Sequence, residues 1–232
     1  MKTQRIGRRE ALTTLIGAAG AAAAYGCSSS VTSPTTASTA TTDPTSTNAA
    51  CAVTPSETAG PFPSVTSLVR GDIREDRVGI PLTLTIKVVN TNASCAPIAN
   101  ASVEIWHADV AGNYSEYASE SSKTYLRGMQ TTDAAGQVVF TTIYPGWYQG
   151  RATHIHVEVK IGGVSRKVTQ MAFAESVNNA VYTSGVYASR GMNPTANASD
   201  MIFTDSLSSE LVTPGGSPAS GYTAAFQVGL PI

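Results

Sequence analysis

The sequence predicts an all-β fold, an antiparallel β-sandwich with long loops and little helix. Three features carry that expectation: several short stretches alternate apolar and polar residues with a period of two, turn-forming clusters separate them, and sustained helical periodicity is scarce. In the first stretch Leu82, Leu84, Ile86 and Val88 alternate with Thr83, Thr85 and Lys87, the pattern of a strand with one buried face. Residues 101–106 and 136–143 repeat it, with Val103 and Ile105 in one and Val138 and Phe140 in the other. Residues 154–159, 165–173 and 222–228 supply further strands, and residues 175–182 one short helix. Between the strands lie Asn90-Thr91-Asn92, Asp109-Val110-Ala111-Gly112-Asn113 and Asp133-Ala134-Ala135-Gly136, whose Asn, Asp and Gly residues favour turns.

The 232 residues are 42% hydrophobic and 13% charged, enough apolar material for one sizeable core without a second folded domain. A formal net charge of −1 and the lack of a basic stripe argue against a nucleic-acid protein. Three cysteines cannot make a disulfide-dense scaffold, so apolar burial must hold the fold.

Residues 1–26 read as an export signal, residues 27–50 as a disordered linker and residues 51–232 as the folded domain. Lys2, Arg5, Arg8 and Arg9 precede an uncharged apolar stretch too short to span a bilayer. Arg8-Arg9 ahead of Leu12 resembles a twin-arginine signal, a route that carries folded proteins and suits one that receives its cofactor before export. Gly26-Cys27 resembles a lipoprotein cleavage and lipidation site, with ordinary cleavage nearby as the alternative. The expected location is therefore a membrane-anchored lipoprotein or a periplasmic or extracellular protein, touching the membrane only through Cys27. Of residues 28–50, 14 are Ser or Thr, a composition that buries too little apolar surface to order itself. Loss of residues 1–26 removes four of 15 basic and one of 16 acidic residues, leaving 11 against 15 and a net charge of −4. Outside the reducing cytosol Cys51 and Cys95 can form a disulfide or remain two buried thiols. The sequence leaves the oligomeric state open.

The sharpest chemical signal is Arg151-Ala152-Thr153-His154-Ile155-His156. Residues two apart in a strand share a face, so His154 and His156 can offer imidazoles to one metal while Ile155 and Val157 point into the core. Two of the three histidines of the chain fall here, directly after Tyr144-Pro145-Gly146-Trp147-Tyr148.

Further fragments occur in a definite order: Thr58-Ala59-Gly60-Pro61-Phe62, Val103-Glu104-Ile105-Trp106-His107-Ala108-Asp109, Gly112-Asn113-Tyr114, Tyr125-Leu126-Arg127-Gly128, Pro145-Gly146-Trp147-Tyr148, residues 151–156, and Thr169-Gln170-Met171. Taken together, over residues 54–203, they resemble the intradiol ring-cleavage dioxygenases, the family of the catechol 1,2-dioxygenases and protocatechuate 3,4-dioxygenases. The resemblance implies a non-haem Fe(III) ion held by Tyr114, Tyr148, His154 and His156, with Arg151 as the active-site arginine, Gln170 beside it, and no organic cofactor. Two hard, anionic tyrosinate oxygens suit Fe(III) better than Fe(II) or Zn(II). The implied reaction opens a catechol with O2 to a cis,cis-muconate-type diacid, Tyr148 being the ligand that the substrate displaces and a base for its proton.

By the same resemblance Gly60 and Pro61 border the substrate pocket and Trp106 lines it, whereas His107 belongs to structure or to the surroundings of the pocket, not to the metal. Arg127, Arg70 and Arg74 are the candidates, by motif neighbourhood, to pair with a carboxylated catechol. The residue-level alternative for Arg151 is a surface ion pair with Glu158. Two departures stand out: the stretch from Tyr148 to Arg151 is shorter than in the protocatechuate enzymes, and residues 1–50 do not match the helical dimerisation segment of the catechol enzymes. The chain thus looks like a secreted, single-domain branch. The competing reading is an exported, noncatalytic metal- or ligand-binding β-sandwich lipoprotein, which has no need of two tyrosines and an arginine at these positions.

Overall fold

The computed structural model describes residues 45–46 and 51–232. The expected export signal, Cys27 and nearly all of the expected linker lie outside the described residues. Eleven strands follow in chain order: β1 (Thr45–Ser46), β2 (Pro81–Asn90), β3 (Ala96–Pro97), β4 (Ser102–Trp106), β5 (Arg127–Thr131), β6 (Gln137–Ile143), β7 (His154–Ile161), β8 (Val164–Phe173), β9 (Leu211–Thr213), β10 (Gly215–Ser217) and β11 (Gly221–Leu230). Helix is confined to α1 (Glu175–Tyr182), the four-residue α2 (Leu207–Glu210) and single 3-10 turns. The expected all-β sandwich with little helix is what forms, and α1 has the bounds that the sequence predicts.

Six strands make one sheet in the order β1-β9-β8-β7-β4-β5. The other runs β10-β11-β2-β3, with β6 sharing the β2 edge that β3 also uses. Both sheets are mixed: β11 lies parallel to β2 and β9 parallel to β8, while the remaining pairs are antiparallel. Alternation along a strand encodes which face is buried but not which neighbour it takes, so these parallel pairs are not legible in it.

The main core lies between the sheets. Leu82, Leu84, Ile86 and Val88 of β2 and Tyr222, Ala224, Phe226 and Val228 of β11 meet Val103 and Ile105 of β4, Ile155, Val157 and Val159 of β7, and Met171 and Phe173 of β8. Each fully buried aliphatic or aromatic side chain of this kind contributes about 1.5–3 kcal/mol. A disulfide joins Cys51 to Cys95 with the Cα atoms 5.6 Å apart, closing a loop 44 residues long. Restricting the unfolded chain in this way is worth about 4 kcal/mol on the chain-entropy account.

The first half of β7 is buried on both faces, residue after residue from His154 to Val157. Ile155 and Val157 supply the core, so His154 and His156 must be covered on the opposite, outer face of the six-stranded sheet. There the register sets Trp106 of β4, His156 of β7 and Gln170 of β8 in one cross-strand row. Loops at residues 54–63, 107–117, 145–151 and 197–206 contribute groups around that row.

Candidate metal centre

His154 and His156 meet at their ring nitrogens, Nε2 to Nε2 3.2 Å. The Tyr114 hydroxyl stands 3.4 Å from His154 Nε2, and the Tyr148 ring packs edge-on against the His154 ring at 5.6 Å between centroids. The two tyrosine rings are 5.7 Å apart. Two phenols and two imidazoles, from one strand and two loops, thus converge on one point.

Each ring is held from behind. His154 Nδ1 bonds the Ala152 carbonyl at 2.6 Å, which makes Nδ1 the protonated nitrogen and leaves the Nε2 lone pair free. The His156 ring lies flat on Trp106, 4.8 Å between centroids and 2° between planes. Burial drives the histidines below their ordinary pKa, His154 to about 3, so both are neutral and competent as ligands. Burial pushes the Tyr114 and Tyr148 phenols up, with the Arg151 guanidinium opposing the rise in each case. The phenols therefore require a cation at this point to ionise near neutral pH.

Tyr114 follows a tight turn: Asp109 Oδ1 accepts from the Asn113 amide at 2.9 Å, and the Gly112 amide donates to the Asp109 carbonyl at 2.9 Å. Phe62 stacks on its ring at 4.7 Å and touches Tyr148 edge-on at 5.9 Å. Tyr148 is carried by a loop that comes so close to the 107–114 segment that a Cβ on Gly146 would stand 1.9 Å from the Asp109 carbonyl oxygen. On the other side Gly60, at φ +69°, faces His156, and a Cβ there would meet the ring at 3.1 Å.

Arg151 does not pair with Glu158. Its Nε donates to both carboxylate oxygens of the buried Asp200 (3.1 and 2.9 Å), its Nη2 to Gln170 Oε1 (2.6 Å) and its Nη1 to the Tyr148 hydroxyl (3.4 Å). Gln170 completes the link by donating from Nε2 to the Thr58 carbonyl at 2.8 Å. Asp200 and Phe62 are the residues of this cluster that sequence reasoning did not single out as site residues. Phe62 sits inside a recognised fragment, whereas Asp200 lies between Asn197 and Phe203, outside every such fragment.

Other expectations resolve differently. Trp106 is 1% exposed and stacked behind His156, so its place is as a support for that ring, not along a pocket wall. Gly60 adjoins His156, while its neighbour Pro61 is exposed. His107 bonds the Ala108 carbonyl and the Thr142 hydroxyl at 3.0 and 2.7 Å, inside the structure and outside the His154–His156 pair. Arg127 is buried, with nitrogens bonded to Ser115 and Phe62 carbonyls and ion-paired to Glu116. Arg70 is engaged by Glu75 and the Arg127 and Thr124 carbonyls, and Arg74 by Asp72. The three arginines offered as partners for a substrate carboxylate are thus already committed.

The donor set fits a single cation of hard character: neutral Nε2 donors within van der Waals distance of each other, phenols adjacent, and an arginine poised to balance developing negative charge. Among the described residues no group of three or more His, Cys, Asp and Glu side chains is arranged to hold a metal.

Comparison with known proteins bears on the same region. Residues 59–190 match the family model Dioxygenase_C, described as Dioxygenase. Among curated proteins a catechol 1,2-dioxygenase 2 of Acinetobacter lwoffii is 34% identical over 93 residues, 32% of this chain and 34% of that protein. The match spans about a third of that relative's length. Among solved structures an intradiol ring-cleavage dioxygenase from Tetranychus urticae superposes with TM-score 0.70 at 29% identity, over 78% of this chain and 96% of that one. The dioxygenase domain of a dioxygenase carbohydrate-binding protein fusion from Streptomyces sp. SirexAA-E gives 0.61 at 26% identity, over 78% and 99%.

Proposed function

The chain belongs to the intradiol ring-cleavage dioxygenase family, and from that premise we propose that it opens a catechol-type diol with O2, inserting both oxygen atoms to give a cis,cis-muconate-type diacid. The observation that carries the reading is the convergence of Tyr114, Tyr148, His154 and His156, with the two Nε2 atoms 3.2 Å apart and the Arg151 guanidinium beside Tyr148. These four residues would hold a non-haem Fe(III) ion, His154 and His156 as neutral donors and the tyrosines as phenolates. Bound there, the iron would supply a Lewis-acidic, redox-active centre.

The protein groups supply position and charge. Tyr148 is only half-buried, the more exposed of the two phenols, and its oxygen can accept a proton from the incoming diol. Arg151, placed 3.4 Å from that oxygen, stabilises negative charge there and on the reacting ring. Gln170 and Asp200 hold the guanidinium in that orientation before substrate arrives. Gly60 lets the 58–62 segment close over His156 without a clash, and Phe62 covers Tyr114 and keeps water from it. Because Arg127, Arg70 and Arg74 are engaged elsewhere, the reading favours catechols without a ring carboxylate.

Export belongs to the same reading. The twin-arginine-like segment, the resemblance of Gly26-Cys27 to a lipidation site and the Cys51–Cys95 disulfide together support an oxidising destination outside the cytoplasm. Oxygen uptake by the iron-loaded chain with catechol tests the activity: one O2 consumed per muconate-type product supports it, and unchanged catechol with iron fully bound overturns it.

A further inference from the structure

We infer that Asp200 is a positioning residue for this reaction, acting through Arg151 and through Ala152, whose carbonyl orients His154; the inference rests on the proposed function. Asp200 lies beyond the stretch matched to the family model, at the end of the 3-10 turn Asn197–Ser199, and its side chain is fully buried. Its carboxylate is saturated with donors. Oδ2 accepts from Arg151 Nε at 2.9 Å and from the Ala152 amide at 2.7 Å, while Oδ1 accepts from Arg151 Nε at 3.1 Å and from the Ile202 amide at 2.9 Å.

Two consequences follow from that geometry. With Nε gripped by Asp200 and Nη2 by Gln170, the free rotation of a long arginine side chain is removed and Nη1 is left directed at the Tyr148 oxygen. Residue Ala152, meanwhile, is held at its N–H by Asp200 and at its carbonyl by His154 Nδ1, one bond on each side of its Cα. One carboxylate therefore fixes the orientation of the arginine and, through the backbone of one residue, the ring nitrogen that His154 presents. Packing of Phe203 beneath both groups, 5.8 Å from the guanidinium carbon and 6.5 Å from the His154 ring, ties this to the same short segment.

The test is a double-mutant cycle in the full-length, iron-loaded protein with Asp200→Asn, Arg151→Ala and the pair. The amide keeps the shape of the carboxylate but must turn an N–H toward one of the donors that Asp200 accepts. Asp200→Asn should lower kcat for catechol about 10- to 100-fold with KM changed far less, and in the Arg151→Ala background the same change should cost markedly less, leaving only the share that Asp200 exerts through residue 152. The tyrosinate-to-iron absorption band should follow the same pattern, shifting in Asp200→Asn and shifting by less when the same change is made in the Arg151→Ala background. Multiplicative losses, or wild-type rates in Asp200→Asn, would overturn the inference. Should Asp200→Asn not fold, Arg151→Lys, which keeps the charge but lacks the Nε–H that Asp200 grips, should lose kcat to a similar degree; full activity there overturns it equally. A wild-type protein that binds iron but leaves catechol intact refutes the proposed function instead, and the absorption band still reads the coupling of Asp200 to Arg151.

Discussion

Trp106 and His156 stand opposite each other on adjacent strands, and the indole lies parallel to the imidazole at 4.8 Å, so a core-sized side chain fixes the plane of a ring that faces the candidate metal position. Removing that support has a separable signature. Trp106→Ala should cost about 3–5 kcal/mol of stability and lower iron affinity about 10- to 100-fold, whereas Trp106→Phe should recover most of both. Chelator competition and urea unfolding read the two quantities, and an unchanged iron affinity in Trp106→Ala would remove Trp106 from the site.

The ligand assignment separates three histidines into two roles. Tyr114→Phe and His154→Ala should lower iron occupancy and activity together, while His107→Ala should keep its iron and lose stability by about 1–3 kcal/mol, since the Thr142 hydroxyl loses its buried partner. Metal analysis of purified variants decides it, and loss of iron on changing His107 would mean a different ligand set.

Burial holds His107 at about 4, below the ordinary histidine range. The unfolded chain therefore takes up a proton first as pH falls through about 6.5, and stability is lost between there and about 4, by about 3 kcal/mol in full. In His107→Ala the acid limb of the stability curve should flatten by a comparable amount.

Glu210 gives the opposite dependence. Buried between the Thr169 and Ser206 hydroxyls, each 2.6 Å away, it is pushed up to about 7. The unfolded chain ionises this carboxyl near its ordinary value, so the raised folded pKa lowers stability as pH rises from about 4.3 to 7. Glu210→Gln should make the protein more stable at pH 8 by up to about 3 kcal/mol relative to its change at pH 4, as read by denaturant unfolding at the two values. Parallel pH profiles of the two proteins would contradict this.

Substrate charge offers a further check. With Arg127, Arg70 and Arg74 all engaged, catechol should exceed protocatechuate in kcat/KM by at least about tenfold, the cost of leaving a carboxylate without a buried partner. Equal efficiencies would require a cation that this arrangement does not account for.

The sandwich is readable because a period of two marks one buried face in β2, β6 and β11, whereas in β4, β7 and β8, buried on both faces over part of their length, the pattern shows at most the side that meets the core. Strand β5 is not readable, since it opens on the buried Arg127 and Gly128, whose polar and small side chains hide its pairing with β4. At the site, the shared face of His154 and His156 follows from strand geometry alone, whereas Tyr114 and Tyr148 are identified only by the order of the family fragments. Asp200 is 49 residues from the arginine it holds, and a single acid outside every recognised fragment carries no sign of burial. Trp106 was legible as buried but not as a backing for His156, because that contact depends on the register between β4 and β7.

The visible spectrum of the iron-loaded protein, recorded alone, then with catechol in the absence of oxygen, then on admitting air, reads the ligand set and the reaction together. A red-brown tyrosinate-to-Fe(III) band should appear, shift when catechol binds and decay in air as a muconate-type product accumulates. A colourless protein, whether it binds zinc, copper or no metal while correctly folded, would contradict the proposed function.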